Sequence, residues 1–392
     1  MGPAQRGPTS HNISPVGADR QVTRTIRLRV ALLGAIWCLA TLGFGPPVIV
    51  SRQGADLRLF PEHAEAIAAL SADPAISATA AVVVDVDANQ LVYARREHDA
   101  LPPASTAKIM TALVVLQRAS IESQVRVSAA AAGTEGSRMG LSTGEVRTVG
   151  ELLMGLLIPS GNDAAVALAE HVTGSEEAFV QLMNETAAAM GLRATQFANS
   201  HGLDAGGERT SAADLAVLAK AALQYPLFAE IVATAGAVVG GHDLQNTNQL
   251  LGFYPGVDGV KTGTTDLGRE CLVVSKTRDG HRLLVVILGS EDRYSDARAL
   301  LEYQQERWSW RSVTLPEDGL GWIEDASGAR YRLRSAEPIE LFLPNWQWDT
   351  VRILRVIDVS APITGTATLG ELRLLAGGQV LAAAPLTVWS RP

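Results

Sequence analysis

Between Ala80 and Arg95 two short runs rich in β-branched residues flank the polar stretch Asp87-Ala88-Asn89-Gln90, a pattern that predicts a β-hairpin. Pro102-Pro103 then halts the chain, and apolar residues from Ser105 to Arg118 recur at the spacing of a buried helix, with Ser105 in its first turn. Further helices are predicted over Thr148 to Leu157, Asn162 to Val172, Glu176 to Met190 and Ser211 to Gln224. The pattern changes at Cys271 to Thr277, Arg278-Asp279-Gly280 and His281 to Leu288, which reads as a hairpin apolar on both faces. A helix from Asp292 to Trp308 follows, and from Leu315 short strands punctuated by Gly and Pro run through Ile353 to Ile357 and on to Val388. The order is hairpin, helical block, hairpin, helix, so one sheet is assembled from both ends of a domain with helices inserted between. That is an α+β layout, an antiparallel sheet flanked by helices, followed by a small all-β sandwich.

The N-terminus adds a compartment signal. Arg20, Arg24, Arg27 and Arg29 precede an uncharged run from Val30 to Phe44, which Gly45 to Val50 extends as far as Arg52. This reads as an export or membrane segment with its positive side inside. The long basic stretch and the lack of an Ala-x-Ala site favour an uncleaved anchor; secretion after cleavage is the alternative. The expected division is residues 1–50 as basic N-terminus and signal or anchor segment, 51–60 as linker, 61–311 as the principal domain and 315–392 as the C-terminal β domain. Either way the rest of the chain is expected outside the cytoplasm.

A net charge of -8 leaves no broad basic surface, so nucleic acid is excluded as an expected partner. Of the two cysteines, Cys38 lies in the apolar run, so no intramolecular disulfide with Cys271 is expected. Lysine is scarce: four lysines and twenty-nine arginines make up the 33 basic residues. Two of the four lysines stand where a proton acceptor or a compact charge would serve, a role that a permanently charged guanidinium cannot fill.

Lys108 follows Ser105 by three positions, so the two share a helix face, and a lysine with lowered pKa can take the proton of a serine nucleophile. Taken alone, Ser105 also reads as a helix cap and Lys108 as a solvated side chain. Ser160-Gly161-Asn162 opens a second helix, where Ser160 reads as a proton shuttle to a leaving amine and Asn162 as an orienting amide, or both as capping residues. Lys261-Thr262-Gly263-Thr264 resembles a strand edge at which glycine lets a ligand backbone approach. Lys261 would draw a carboxylate and depress the pKa of Lys108, while Thr262 and Thr264 offer hydroxyls.

Ser-x-x-Lys, Ser-x-Asn and Lys-Thr-Gly in this order mark penicillin-recognising serine enzymes. With Ser137 to Leu141, Leu152 to Ala165, Asn199 to Asp204, Asn246 to Asn248 and Tyr254 to Gly259, residues 60–310 resemble the low-molecular-mass penicillin-binding proteins, the serine D-alanyl-D-alanine carboxypeptidases. The resemblance implies a serine β-lactamase/transpeptidase-like catalytic domain over 61–311. It further implies removal of the terminal D-Ala from peptidoglycan stem peptides through an acyl-enzyme, with inhibition by β-lactams and no metal or cofactor. Ser105 would be the acylated nucleophile, Lys108 the general base, Ser160 the shuttle and Asn162 the orienting group. Lys261, Thr262, Gly263 and Thr264 would bind the substrate carboxylate, with the Ser105 and Thr264 backbone N–H groups as oxyanion hole. His201 and Asp258 are expected to be structural. The alternatives are a class A-like β-lactamase, a D,D-endopeptidase acting on cross-links, or an inactive wall-binding scaffold. Ser160-Gly161-Asn162 in place of Ser-Asp-Asn, followed directly by helix, weighs against the β-lactamase.

Overall fold

The computed structural model describes residues 72–313, 320–324, 327–335, 338–357, 368–376 and 378–390. The basic and apolar N-terminal segment and the linker at 51–60 lie outside the described residues. Those that are described divide into two compact units, one ending at Trp308 and one beginning at Ser309.

The first unit opens with β1 (Ala80–Asp85) and β2 (Gln90–Arg95), the expected hairpin. A 3-10 turn over Ala104–Ala107 leads into α1 (Lys108–Arg118). Ser105 thus sits in a tight turn ahead of the helix and not in the helix's own first turn, because Pro103 and a left-handed Ala104 (φ 49°) bend the chain before α-helical bonding begins. Every residue from Lys108 to Val115 is buried, as the apolar spacing implied. Next come β3 (Gln124–Arg126), α2 (Ala129–Gly133), β4 (Val146–Thr148) and α3 (Val149–Leu157). Thr148 and Glu151 close a reciprocal capping box at the start of α3. The block continues with α4 (Asn162–Thr173), α5 (Glu176–Ala189) and α6 (Ala212–Ala222), the last two capped by Ser175 and Ser211.

Among the elements not read from the pattern are β3, α2 and β4 and, further on, α7 (Pro226–Ala233) and the short strands β5 (Gly236–Val239) and β6 (His242–Gln245). Gly240-Gly241 at the turn of that hairpin, with φ 56° and 93°, is the local signal that would have revealed it. The chain then forms β7 (Val257–Thr265), β8 (Arg269–Arg278), β9 (His281–Ser290) and α8 (Arg293–Arg307), which Asp292 caps.

The sheet order is β2-β1-β9-β8-β7, antiparallel throughout, so strands from the two ends of the unit meet where β1 pairs with β9. Residues 271–276 of β8 and 283–290 of β9 are buried without a break, as expected of strands covered on both faces. Edge strand β7 is left with one side facing the turn that carries Ser105, and this fixes where the site lies.

Among its described residues the second unit is built of strands, with one 3-10 helix over Asn345–Thr350. A five-stranded sheet runs β11 (Trp322–Glu324), β12 (Arg330–Ser335), β16 (Gln379–Ser390), β15 (Thr368–Ala376) and β14 (Arg352–Ile357), beside a two-stranded sheet of β10 (Trp308–Val313) and β13 (Ile339–Pro344). Leu341 and Leu343 of β13 pack on Leu374 of β15, so two layers share an apolar core.

Candidate active site

The turn bearing Ser105 is held by short-range and long-range bonds. Thr106 donates through N–H and hydroxyl to the Pro103 carbonyl at 3.2 and 2.6 Å, and Leu101 and Thr210 exchange backbone bonds of 2.8 and 2.7 Å. Lys108 Nζ lies 2.9 Å from Ser105 Oγ and donates to the His201 carbonyl at 2.7 Å. Thr111, one turn further on, donates to the Ser200 carbonyl at 2.5 Å, so the Ser200-His201 segment is strapped along the helix. Burial, reinforced by the charge of Lys261, pushes the Lys108 ammonium well below the usual lysine range. An unprotonated amine beside a serine hydroxyl can accept its proton.

Ser160 lies in the bend before α4, and Asn162 is the first residue of that helix. Ser160 is left-handed, with φ 66°, a conformation that a serine adopts only under constraint from its surroundings. Its hydroxyl is buried and has no hydrogen-bond partner among the described residues; the same holds for Asn162 Oδ1. Two such groups cost about 1–3 kcal/mol each in an ordinary core, and their concentration at one bend marks a functional position. Asn162 Nδ2 is anchored on the Glu135 carbonyl at 2.6 Å. Asp163 organises the facing loop by accepting Met139, Gly140 and Leu141 N–H at 2.9, 2.8 and 3.0 Å.

The third wall is β7. Lys261 is buried, and its Nζ donates to the Thr262 carbonyl at 3.0 Å. Burial, then the nearby charge of Arg293, lower its pKa to about 7. Thr262 Oγ1 lies 2.6 Å from Thr247 Oγ1. A Cβ on Gly263 would stand 2.9 Å from both Ser105 N and Ala104 Cβ, so only glycine lets this strand run against the serine turn. Thr264 is exposed, and its hydroxyl accepts from Arg293 Nη2.

The fold thus brings together Ser105, Lys108, Ser160, Asn162, Lys261, Thr262, Gly263 and Thr264. It also brings groups for which no role was read from the sequence. Arg293, nearly buried at the start of α8, donates to the Gly263 and Cys271 carbonyls at 2.8 and 3.1 Å and pairs with Glu270 at 3.0 Å. It sets a permanent cation beside Lys261. Thr247, in the Asn-Thr-Asn segment, extends the hydroxyl row. Arg293 had no local signal, since it reaches β7 from the start of α8, whereas Thr247 lies in the Asn246 to Asn248 segment that carried part of the resemblance.

His201 and Asp258 sit where structural roles put them. The His201 ring accepts Leu203 N–H at Nδ1 (3.3 Å) and is held neutral, its pKa lowered to about 4 by burial and then by the charge of Lys108. Asp258 Oδ2 accepts the Thr277 hydroxyl at 2.5 Å and pairs with Arg282 at 3.3 Å. Cys271 is a free, buried thiol, pushed up to about 11 mainly by burial and therefore unreactive.

A serine beside a buried lysine, an inserted helical block and a sheet built from both ends of the unit define a penicillin-binding serine hydrolase of β-lactamase/transpeptidase-like fold. The structure of penicillin binding protein 6B from Escherichia coli superposes with a TM-score of 0.65 at 29% identity, covering 80% of this chain and 96% of that one. The D-alanyl-D-alanine carboxypeptidase DacD of Francisella tularensis gives 0.62 at 26% identity, covering 82% and 95%. In sequence, the D-alanyl-D-alanine carboxypeptidase DacF of Bacillus subtilis is 34% identical over 79% of this chain and 84% of its own length. Residues 67–292, more than half of the chain, match the D-alanyl-D-alanine carboxypeptidase family (peptidase S11). The chain belongs to that family and is a serine-type D-Ala-D-Ala carboxypeptidase.

Proposed function

We propose that Ser105 attacks the carbonyl of the penultimate D-Ala of a peptidoglycan stem peptide while Lys108 takes its proton. The observation that carries this reading is the 2.9 Å approach of a buried, proton-poor Lys108 to Ser105 Oγ. The Ser105 and Thr264 N–H groups receive the developing oxyanion. The proton passes through Ser160 to the amine of the departing D-Ala, which the unpartnered Ser160 hydroxyl supports. Asn162 orients the scissile amide through its free Oδ1. Lys261, Thr262 and Thr264 bind the terminal carboxylate, with Arg293 adding charge from behind, and Gly263 lets the substrate backbone lie along β7. Water then releases the shortened peptide, and β-lactams acylate the same serine.

In this reading 61–311 carries the activity, 315–392 is a separate β module, and the enzyme works outside the cytoplasm, anchored by its N-terminal segment. The test uses the protein from about residue 52, incubated with diacetyl-Lys-D-Ala-D-Ala and, separately, with fluorescent penicillin. Release of D-Ala and a stable penicillin adduct are expected, both lost in Ser105→Ala. Rapid penicillin turnover would make it a β-lactamase, and neither signal would leave an inactive scaffold.

A further inference from the structure

The Asn246-Thr247-Asn248 segment is pinned on both flanks. Asn246 Nδ2 donates to the Thr234 carbonyl at 2.9 Å, and Asn248 Nδ2 donates to the Gly259 carbonyl of β7 at 3.1 Å. Asn248 N–H closes the turn on Asn246 Oδ1 at 2.9 Å. Thr247, between them, is tied to three parts of the site. Its N–H donates at 3.3 Å to the carbonyl of Ile158, which lies just ahead of Ser160. Its carbonyl accepts the hydroxyl of Tyr294, the neighbour of Arg293, at 2.8 Å. Its own hydroxyl meets Thr262 Oγ1 at 2.6 Å. Thr262 is buried, but Thr247 is exposed, so its side chain is not needed to fill the core. A fixed backbone therefore holds an exposed hydroxyl against a buried one on the strand that faces Ser105.

The hydroxyl pair has a direction. Each threonine hydroxyl has one proton to give and two lone pairs to receive with. Neither of these two has a second partner among the described residues. With Thr262 as donor to Thr247, no proton of Thr262 remains for a ligand. With Thr247 as donor, the Thr262 proton is free for an anion along β7, and a hydroxyl that accepts one bond donates the next more strongly. We propose that Thr247 is a positioning residue for the terminal carboxylate of the substrate, its hydroxyl donating to Thr262 Oγ1 so that the Thr262 hydroxyl donates to the carboxylate. This role rests on the reading of Thr262 as a carboxylate ligand. Thr247 acts through Thr262, and no bond of the substrate is made or broken at either hydroxyl. The main-chain bonds to Ile158 and Tyr294 serve to hold the donor in line, and they survive a change of the Thr247 side chain.

The measurement is kcat and KM for release of D-Ala from diacetyl-Lys-D-Ala-D-Ala by Thr247→Val, Thr247→Ser, Thr262→Val and the double valine variant. Thr247→Val keeps the branched shape and removes the hydrogen bond. Its KM should rise on the order of three- to tenfold, the worth of one hydrogen bond, with kcat within about twofold of wild type. Thr247→Ser keeps the hydroxyl and should restore the wild-type KM. In the double variant KM should equal that of Thr262→Val alone, because a group that works through Thr262 has nothing left to act on. A wild-type KM in Thr247→Val, a serine variant as weak as the valine one, or a double variant whose rise is the product of the two single rises overturns the proposal. So does a loss confined to kcat, the mark of a distorted site. An unchanged KM in Thr262→Val overturns the underlying reading too, whereas a raised KM there beside an unchanged one in Thr247→Val removes only the role of Thr247.

Discussion

Lys108 and Lys261 are both buried at one site, yet their surroundings differ in kind. Lys108 is enclosed by α1 and the Ser200-His201 segment, touches Ser105 Oγ, and has carboxylates within electrostatic reach. Lys261 sits on an edge strand, bonds its own neighbour's carbonyl, and faces a second cation, Arg293. Burial depresses both ammonium groups, but only one has a hydroxyl to deprotonate. The contrast teaches that desolvation prepares a lysine for proton transfer and the partner decides whether it performs it.

The sharpest break of this comparison is Lys108→Arg. Charge is kept and the proton-accepting amine is lost, so acylation should fall by about 10²–10⁴, read by penicillin labelling under conditions where Ser105→Ala gives the zero level. Gly263→Val comes next. Its Cβ would enter the space of Ser105 N and Ala104 Cβ, displacing the serine turn and lowering kcat/KM by about 10²-fold; unchanged kinetics would mean the strand approach is not needed.

Lys261→Arg should lose only about tenfold, because charge is preserved and fork geometry changed. The same variant sharpens the comparison through pH. Lys261 is protonated below about 7, so carboxylate binding should weaken and KM rise as pH passes upward through that value. Arginine stays charged, and its KM should remain flat; a wild-type KM independent of pH would contradict the assignment. The smallest effect concerns stability. The folded pKa of Lys261 lies below its unfolded value, so the unfolded chain binds more protons between about 7 and 10.5. Stability should therefore rise with pH across that window in wild type and rise less steeply in Lys261→Met, where only the depressed Lys108 still contributes, which thermal unfolding followed against pH would reveal. At neutral pH the methionine variant should be about 1 kcal/mol more stable, as expected when a strained functional group is removed.

Much of the fold was legible because periodicity is local. The spacing from Lys108 to Val115 announced a buried helix, and the unbroken apolar arms of β8 and β9 announced strands covered on both sides. The helices that begin at Ser175, Ser211 and Asp292 carried their own caps. The hairpin of β5 and β6 escaped because its arms are short and exposed at alternate residues, with only Gly240-Gly241 to mark it. Ser105 was read into a helix, whereas its 3-10 turn depends on a left-handed Ala104 against which β7 lies. Arg293 was invisible as a site residue, since what matters is which strand it reaches.

The order and identity of the reactive groups, Ser105 with Lys108, Ser160 with Asn162, and Lys261 to Thr264, are properties of the sequence alone, because each motif spans a few residues and local geometry places its members on one face. Which lysine is stripped of its proton, which hydroxyl is left without a partner and which cation stands beside Lys261 were decided by the tertiary structure. The reason is physical: desolvation and Coulomb energy depend on what packs around a group, and for Lys108 those neighbours come from β7, the first turn of α4 and the loop ahead of α6.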